Sequence, residues 1–289
     1  MARLILVLIC LALCFPVSHA TEANALDQKP LIIALMHFAP ELGALESNQV
    51  AIDKALTLAK QHNAHWMLTP ELALTGYYFE KVIGTDWIKP GPDVHVRALQ
   101  QRAQELGIGL LLGHLERQLK PQLKLQPATF NTLFVINDKG RVVARHRKIN
   151  TVPQSEDWST KGSIATVTNI AGYRAGLLIC ADAWPADHAA HQKEQGAQLI
   201  LSAANWGPGP YGPEDTWEKR SRETGLPVIV NNRTGIDKTL DMRAATSVVA
   251  VAGRRVFEYQ SEKSALVLLY WERTQPSPTF IRAEIIESQ

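Results

Sequence analysis

The sequence predicts a layered α/β protein. Three observations carry this: apolar runs of strand length, amphipathic helical stretches between them, and a second half that repeats the same alternation. No Pro/Gly-rich linker divides the chain. Residues 21–289 are therefore expected to form a single domain behind an N-terminal segment of different character.

Residues 31–36 (LIIALM) are apolar throughout and read as a buried strand. Ser47 is placed to cap a helix in which Ile52, Ala55, Leu56 and Ala59 share one face. Residues 66–68 form a short strand running into Thr69-Pro70-Glu71. A second helix buries Val96, Leu99, Ala103 and Leu106, with Gly107 placed to end it. Residues 108–113 return to strand, and 129–136 with 142–148 form a hairpin around Asn137-Asp138-Lys139-Gly140. In the second half, 175–179 is a buried strand, Pro185 opens a helix and Gly196 closes it. Residues 199–203, 228–230, 247–251 and 265–270 are strands, and 214–224 is an amphipathic helix. Residues 118–127 and 207–213 (GPGPYGP) read as surface loops.

The first twenty residues, MARLILVLICLALCFPVSHA, place Arg3 before an apolar run from Leu4 to Phe15. Pro16 breaks any helix, and Ser18-His19-Ala20 supplies small residues where a signal peptidase reads. The run is too short for a spanning helix. The expectation is a secretory signal cleaved after Ala20 and an exported protein, periplasmic or secreted. Cys10 and Cys14 both lie inside this segment. Leu13 is bulky where lipid-anchoring sites want a small residue, so anchoring through Cys14 is the minority reading. The mature chain then keeps one cysteine, Cys180, and cannot close an internal disulfide.

Lys plus Arg number 30 and Asp plus Glu 28. That near balance leaves no electrostatic footprint for nucleic acid or an anionic membrane. No apolar stretch beyond the signal is long enough to span a bilayer.

Cys180 closes an apolar strand whose backbone must turn sharply into Ala181-Asp182-Ala183-Trp184-Pro185. Such a turn exposes a side chain at a sheet edge and aims the next amide outward. A nucleophile needs that exposure, and a developing oxyanion needs that N–H. Glu71 and Lys148 also stand at strand ends, where ionisable groups converge on one edge of a sheet.

PELALTGY around Glu71, RHRKINTVPQSE around Lys148 and LLICADAWP around Cys180 resemble the three signature segments of the carbon–nitrogen hydrolase (nitrilase) superfamily. Their order matches, as does the spacing from Lys148 to Cys180. The similarity runs from Leu31 to about Tyr270 and includes SAANW, NNRTG and ATSVVAVAGRRV. The resemblance implies a four-layer α-β-β-α sandwich, an amidase-type hydrolase and a catalytic Glu71, Lys148 and Cys180. It also implies a second carboxylate, Glu156, that orients substrate, and an oxyanion contact from the Ala181 N–H. Relatives commonly pair, so a homodimer or larger homo-oligomer is expected; the apolar run ALVLLY at 265–270 points the same way. The chain departs from the family at Ala181, where an aromatic residue often follows the cysteine, and in its export signal.

No cofactor or metal is expected. His188 and His191 share a helical face with Asp187 nearby, but no further ligand is spaced to complete a metal site. The same histidines leave a Cys-His hydrolase as a rival, and a dithiol redox cycle lacks its second thiol. A binding protein of the same fold is the non-catalytic rival, which intact Glu71, Lys148 and Cys180 oppose. Within the family, amide, nitrile and N-carbamoyl hydrolysis and acyl transfer use one trio, with a small-molecule amide or nitrile as substrate. Among the aromatics Trp158, Trp184, Trp206 and Tyr78, Trp206 is the best candidate for a pocket wall.

Overall fold

β1 (Leu31–His37) is buried at every position, as its unbroken apolar run requires. Leu31, Ile33 and Leu35 join one core cluster, and Ile32, Ala34 and Met36 join another. Side chains alternate along a strand, so a strand covered on both faces must be apolar at each step. Each such Leu or Ile contributes about 1.5–3 kcal/mol when fully buried. The computed structural model in which this is seen describes residues 29–119 and 128–287. The expected signal at 1–20, with Cys10 and Cys14, and residues 120–127 of the expected loop lie outside the described residues.

β1 belongs to a mixed sheet with β2 (Trp66–Leu68), β3 (Gly109–Gln118), β4 (Ala128–Ile136), β5 (Val142–Arg147), β14 (Ala265–Glu272) and β15 (Thr279–Glu287). Its seven strands run β15-β14-β1-β2-β3-β4-β5. A second sheet contains β6 (Val167–Ile170), β7 (Tyr173–Ile179), β8 (Leu199–Ala203), β9 (Val228–Asn231), β12 (Ser247–Val251) and β13 (Arg254–Tyr259). Its six strands run β13-β12-β9-β8-β7-β6, and β10 (Ile236–Asp237) with β11 (Leu240–Asp241) makes a separate ribbon.

Helices close the outer faces. α1 (Leu45–Gln61) and α3 (Val94–Leu106) bury Ile52, Leu56, Val96 and Leu99 in the cluster that holds Ile32 and Ala34. α4 (Ala186–Glu194) and α5 (Thr216–Thr224) bury Ala189 and Trp217 against the second sheet, and α2 (Glu80–Ile83) is a single turn. The layers are α-β-β-α, as expected. Asn231 at the end of β9 ties the sheets together: its Nδ2 donates to Met36 O at 3.1 Å and Leu68 O at 2.6 Å.

Three expectations need correction. α1 begins at Leu45, so Ser47 lies inside it and does not cap it. The start is organised instead by buried Asn48, which accepts from Glu41 N–H at 2.8 Å and donates to Leu74 O at 2.9 Å. β5 ends at Arg147, one residue before Lys148. The ALVLLY run is an internal strand, β14, hydrogen-bonded to β1 on one side and β15 on the other. Residues 265–269 are buried, so the run gives self-association no support.

Candidate active site

Glu71 follows β2 in a turn held against β3. Thr69 Oγ1 accepts from Gly113 N–H at 2.9 Å, and Ala73 N–H donates to Gly113 O at 2.9 Å. The approach is so close that a Cβ on Gly113 would lie 2.2 Å from Pro70 O; only glycine fits there. Lys148 directly follows β5, with its N–H donating to Asn131 O at 2.8 Å and its O accepting from Gly162 N–H at 2.7 Å. Cys180 follows β7 and opens a short 3-10 turn, Cys180–Ala183. Its φ is +49°, a left-handed conformation unusual for a residue with a side chain. Strain of this kind, of order 1–3 kcal/mol, concentrates at functional positions.

These segments meet in one buried cluster. Lys148 Nζ donates to Glu71 Oε1 at 2.7 Å and to Glu156 Oε1 at 2.9 Å. Asn131 Nδ2, from β4, donates to the same two oxygens at 2.7 and 2.8 Å. The remaining oxygens differ. Glu156 Oε2 accepts from Val152 N–H at 2.7 Å, whereas Glu71 Oε2 has no hydrogen-bond partner among the described residues. Glu71, Lys148 and Glu156 are essentially sealed from solvent, and Cys180 is 4% exposed. The Cys180 thiol rests against Asn205 O at 3.8 Å.

Burial sets the electrostatics. It pushes the Glu71 carboxyl up to about 7, with Lys148 opposing and Glu156 reinforcing the rise. Burial also lowers the proton affinity of Lys148, but Glu71 and Glu156 outweigh it and hold the ammonium charged well above its ordinary range. The Cys180 thiol is raised by burial and by Glu71, against a smaller pull from Lys148, so it rests protonated. The cluster thus pairs a protonated nucleophile with a fixed cation and a carboxyl near its own midpoint.

Sequence reading missed the residues that align these parts. Asp182, two positions after Cys180, is fully buried. Its Oδ1 accepts from Ile149 and Asn150 N–H at 2.9 and 2.7 Å, and its Oδ2 from Ile179 N–H at 3.0 Å and His146 Nε2 at 2.9 Å. It therefore clasps the chain after Lys148 to the turn that carries Cys180. Asn150 Nδ2 adds a bond to Ala181 O at 2.8 Å. Asp182, set between Ala181 and Ala183, was the one available signal, since buried ionisable groups need partners; His146, flanked by Arg145 and Arg147, gave none.

Cys180 and Ala181 line a cavity of about 490 Å³ walled by Tyr77, Tyr78, Trp184, Trp206 and the 207–212 loop. Trp206 is where a pocket wall was expected. Trp184 stacks on it with ring centres 5.5 Å apart. Trp158 is elsewhere, edge-on to Phe79 at 4.9 Å. Glu71, Lys148 and Glu156 are not part of this lining; they are buried, and their charges act on the lining residue Cys180. His188 and His191 stay on α4, where His188 Nδ1 approaches Asp182 O at 3.1 Å and His191 is exposed. A larger depression of about 820 Å³, bordered by Lys60, His65 and Arg273, contains none of the expected site residues.

The Carbon-nitrogen hydrolase profile matches residues 32–271, nearly the whole described chain. The chain belongs to the carbon–nitrogen hydrolase family. It is similar to a probable nitrilase from Schizosaccharomyces pombe, 21% identical over 241 residues, which cover 81% of this chain and 86% of that protein. It is also similar to a glutamine-dependent NAD(+) synthetase from Acinetobacter baylyi, 23% identical over 82% of this chain. The match spans only 43% of that synthetase, less than half its length. Among solved structures, an amidase from Nesterenkonia sp. AN1 superposes with a TM-score of 0.70 at 22% identity, covering 85% of this chain and 91% of the amidase. That structure, of a variant, shows covalent addition of the acetamide moiety of fluoroacetamide at its active site cysteine. This likeness is one of fold.

Proposed function

We propose that this carbon–nitrogen hydrolase cleaves a small-molecule amide to its acid and ammonia through a thioester on Cys180. The observation that carries the reading is the convergence of Glu71, Lys148, Glu156 and Cys180, from three separate segments, beside one cavity. The amide carbonyl sits over Sγ. The thiol gives its proton to the unbonded Glu71 Oε2 as sulfur attacks, and the carbonyl π pair moves to oxygen. Because the thiol rests protonated, its proton must pass to Glu71 no later than the attack. The Lys148 ammonium and the Ala181 N–H stabilise the oxyanion. Its collapse breaks the C–N bond, and Glu71 protonates the departing nitrogen as ammonia. Glu71 next takes a proton from water as that water attacks the thioester, and the proton returns to the leaving Cys180 sulfur. Glu156 holds Lys148 and the substrate amide in place; its second oxygen is committed to Val152.

The same site would serve a nitrile, an N-carbamoyl amine or an amine acyl acceptor. Assay of amides, nitriles and carbamoyl amines for ammonia release separates them: amides as the best substrates support the proposal, and release from nitriles alone overturns it. Cleavage after Ala20 and export complete the proposal on the sequence grounds given above, and self-association on the analogy with relatives that pair.

A further inference from the structure

We propose that the site selects neutral amides whose acyl group carries an aromatic or bulky apolar substituent, and rejects amides that bear a carboxylate, such as glutamine. This rests on the amidase reading and adds the substrate class.

The cavity is far larger than a two-carbon amide fills. At about 490 Å³ it falls within the roughly 300–1,000 Å³ of pockets that enclose drug-sized ligands. Ala181, next to the nucleophile and part of the lining, has no side chain beyond a methyl group to take up room there. The opposite requirement, a fixed wall, is met by Trp206. Its Nε1 donates to Tyr211 O at 2.7 Å, its ring lies edge-on to fully buried Trp217 at 5.5 Å, and Trp184 stacks on it. A preorganised aromatic surface recognises a flat apolar group with little ordering cost.

Charge supplies the rejection. Asp241 is the only charged residue lining the cavity among the described residues, and it is paired with Arg243. Arg243 grips both of its oxygens, at 3.0 and 2.7 Å. No Lys, Arg or His joins the lining. Two cations next to it are already paired: Lys148 with two carboxylates and Arg243 with Asp241. An entering carboxylate would lose hydration and meet no unpaired positive partner in the lining, which is costly in a partly dry site.

The test compares phenylacetamide, acetamide and L-glutamine with the mature wild-type protein at pH 8, by ammonia release. The expected result is a kcat/KM for phenylacetamide at least roughly tenfold above both others. Trp206→Ala should lower the phenylacetamide-to-acetamide ratio by roughly tenfold, and Trp206→Phe should restore part of it. A smaller advantage over either competitor, or an unchanged ratio in a folded Trp206→Ala protein, overturns the inference while leaving the amidase reading intact. Absence of ammonia from all three, with no adduct on Cys180, overturns both.

Discussion

His146 on β5 and Asp182 after β7 meet at 2.9 Å, both fully buried, and join the two sheets beside the nucleophile. Burial pushes the Asp182 carboxyl up, but the His146 bond and the Asn150 amide outweigh it and hold it below its ordinary 3.8. A depressed carboxyl contributes stability above its ordinary value and loses it as pH falls through the lower folded one. Asp182→Asn keeps the shape but sets an amide N–H against the Ile179 and His146 donors. We expect a loss of about 1–3 kcal/mol by urea unfolding and a fall in kcat larger than any rise in KM. An unchanged midpoint with unchanged kcat would show that the clasp does not align the site.

Glu71 predicts the pH dependence. With its carboxyl at about 7, the base form is lost below that value, so kcat/KM should rise through about pH 7 and level above it. The sign for stability is opposite: this group's contribution is full below 4.5 and declines as pH rises to about 7, because the folded state holds the proton longer. A pH–rate profile lacking this acid limb would remove Glu71 as the base.

Two carboxylates share Lys148, yet only Glu71 keeps an uncommitted oxygen among the described residues. Glu71→Gln should therefore abolish the proton transfers of both half-reactions, acylation and hydrolysis, and Glu156→Gln should reduce kcat without eliminating it. Lys148→Ala should cost roughly 3–4 kcal/mol of transition-state stabilisation. It should also lower stability by about 3–5 kcal/mol, because two buried carboxylates lose their cation. Steady-state kinetics with thermal unfolding separates these effects; equal losses for the two glutamate variants would contradict their division of roles.

The export reading predicts an intact mass beginning at Thr21. Retention of residues 1–20, or lipid on Cys14, would refute it.

Much of this was legible in the sequence because strands buried on both faces must be written in unbroken apolar runs. Trp66–Leu68 and Leu199–Ala203 match residue for residue. β6, β13 and β15 were not legible. Each is a sheet edge, paired on one side only, and Arg254-Arg255 and Arg282 face water where a core strand would carry leucine. Glu71, Lys148 and Cys180 were legible by their positions after strands and Glu156 only through the family resemblance, and the structure brings the four together. His146, Asn131 and Asp182 were not, because their importance lies in contacts 36 and 60 residues away along the chain.

Mass spectrometry of the protein during turnover of an amide tests the central claim most directly. The account predicts an acyl adduct confined to Cys180, with adduct and ammonia release both abolished in folded Cys180→Ser. Full activity after complete alkylation of Cys180 would contradict it and leave that residue a structural thiol.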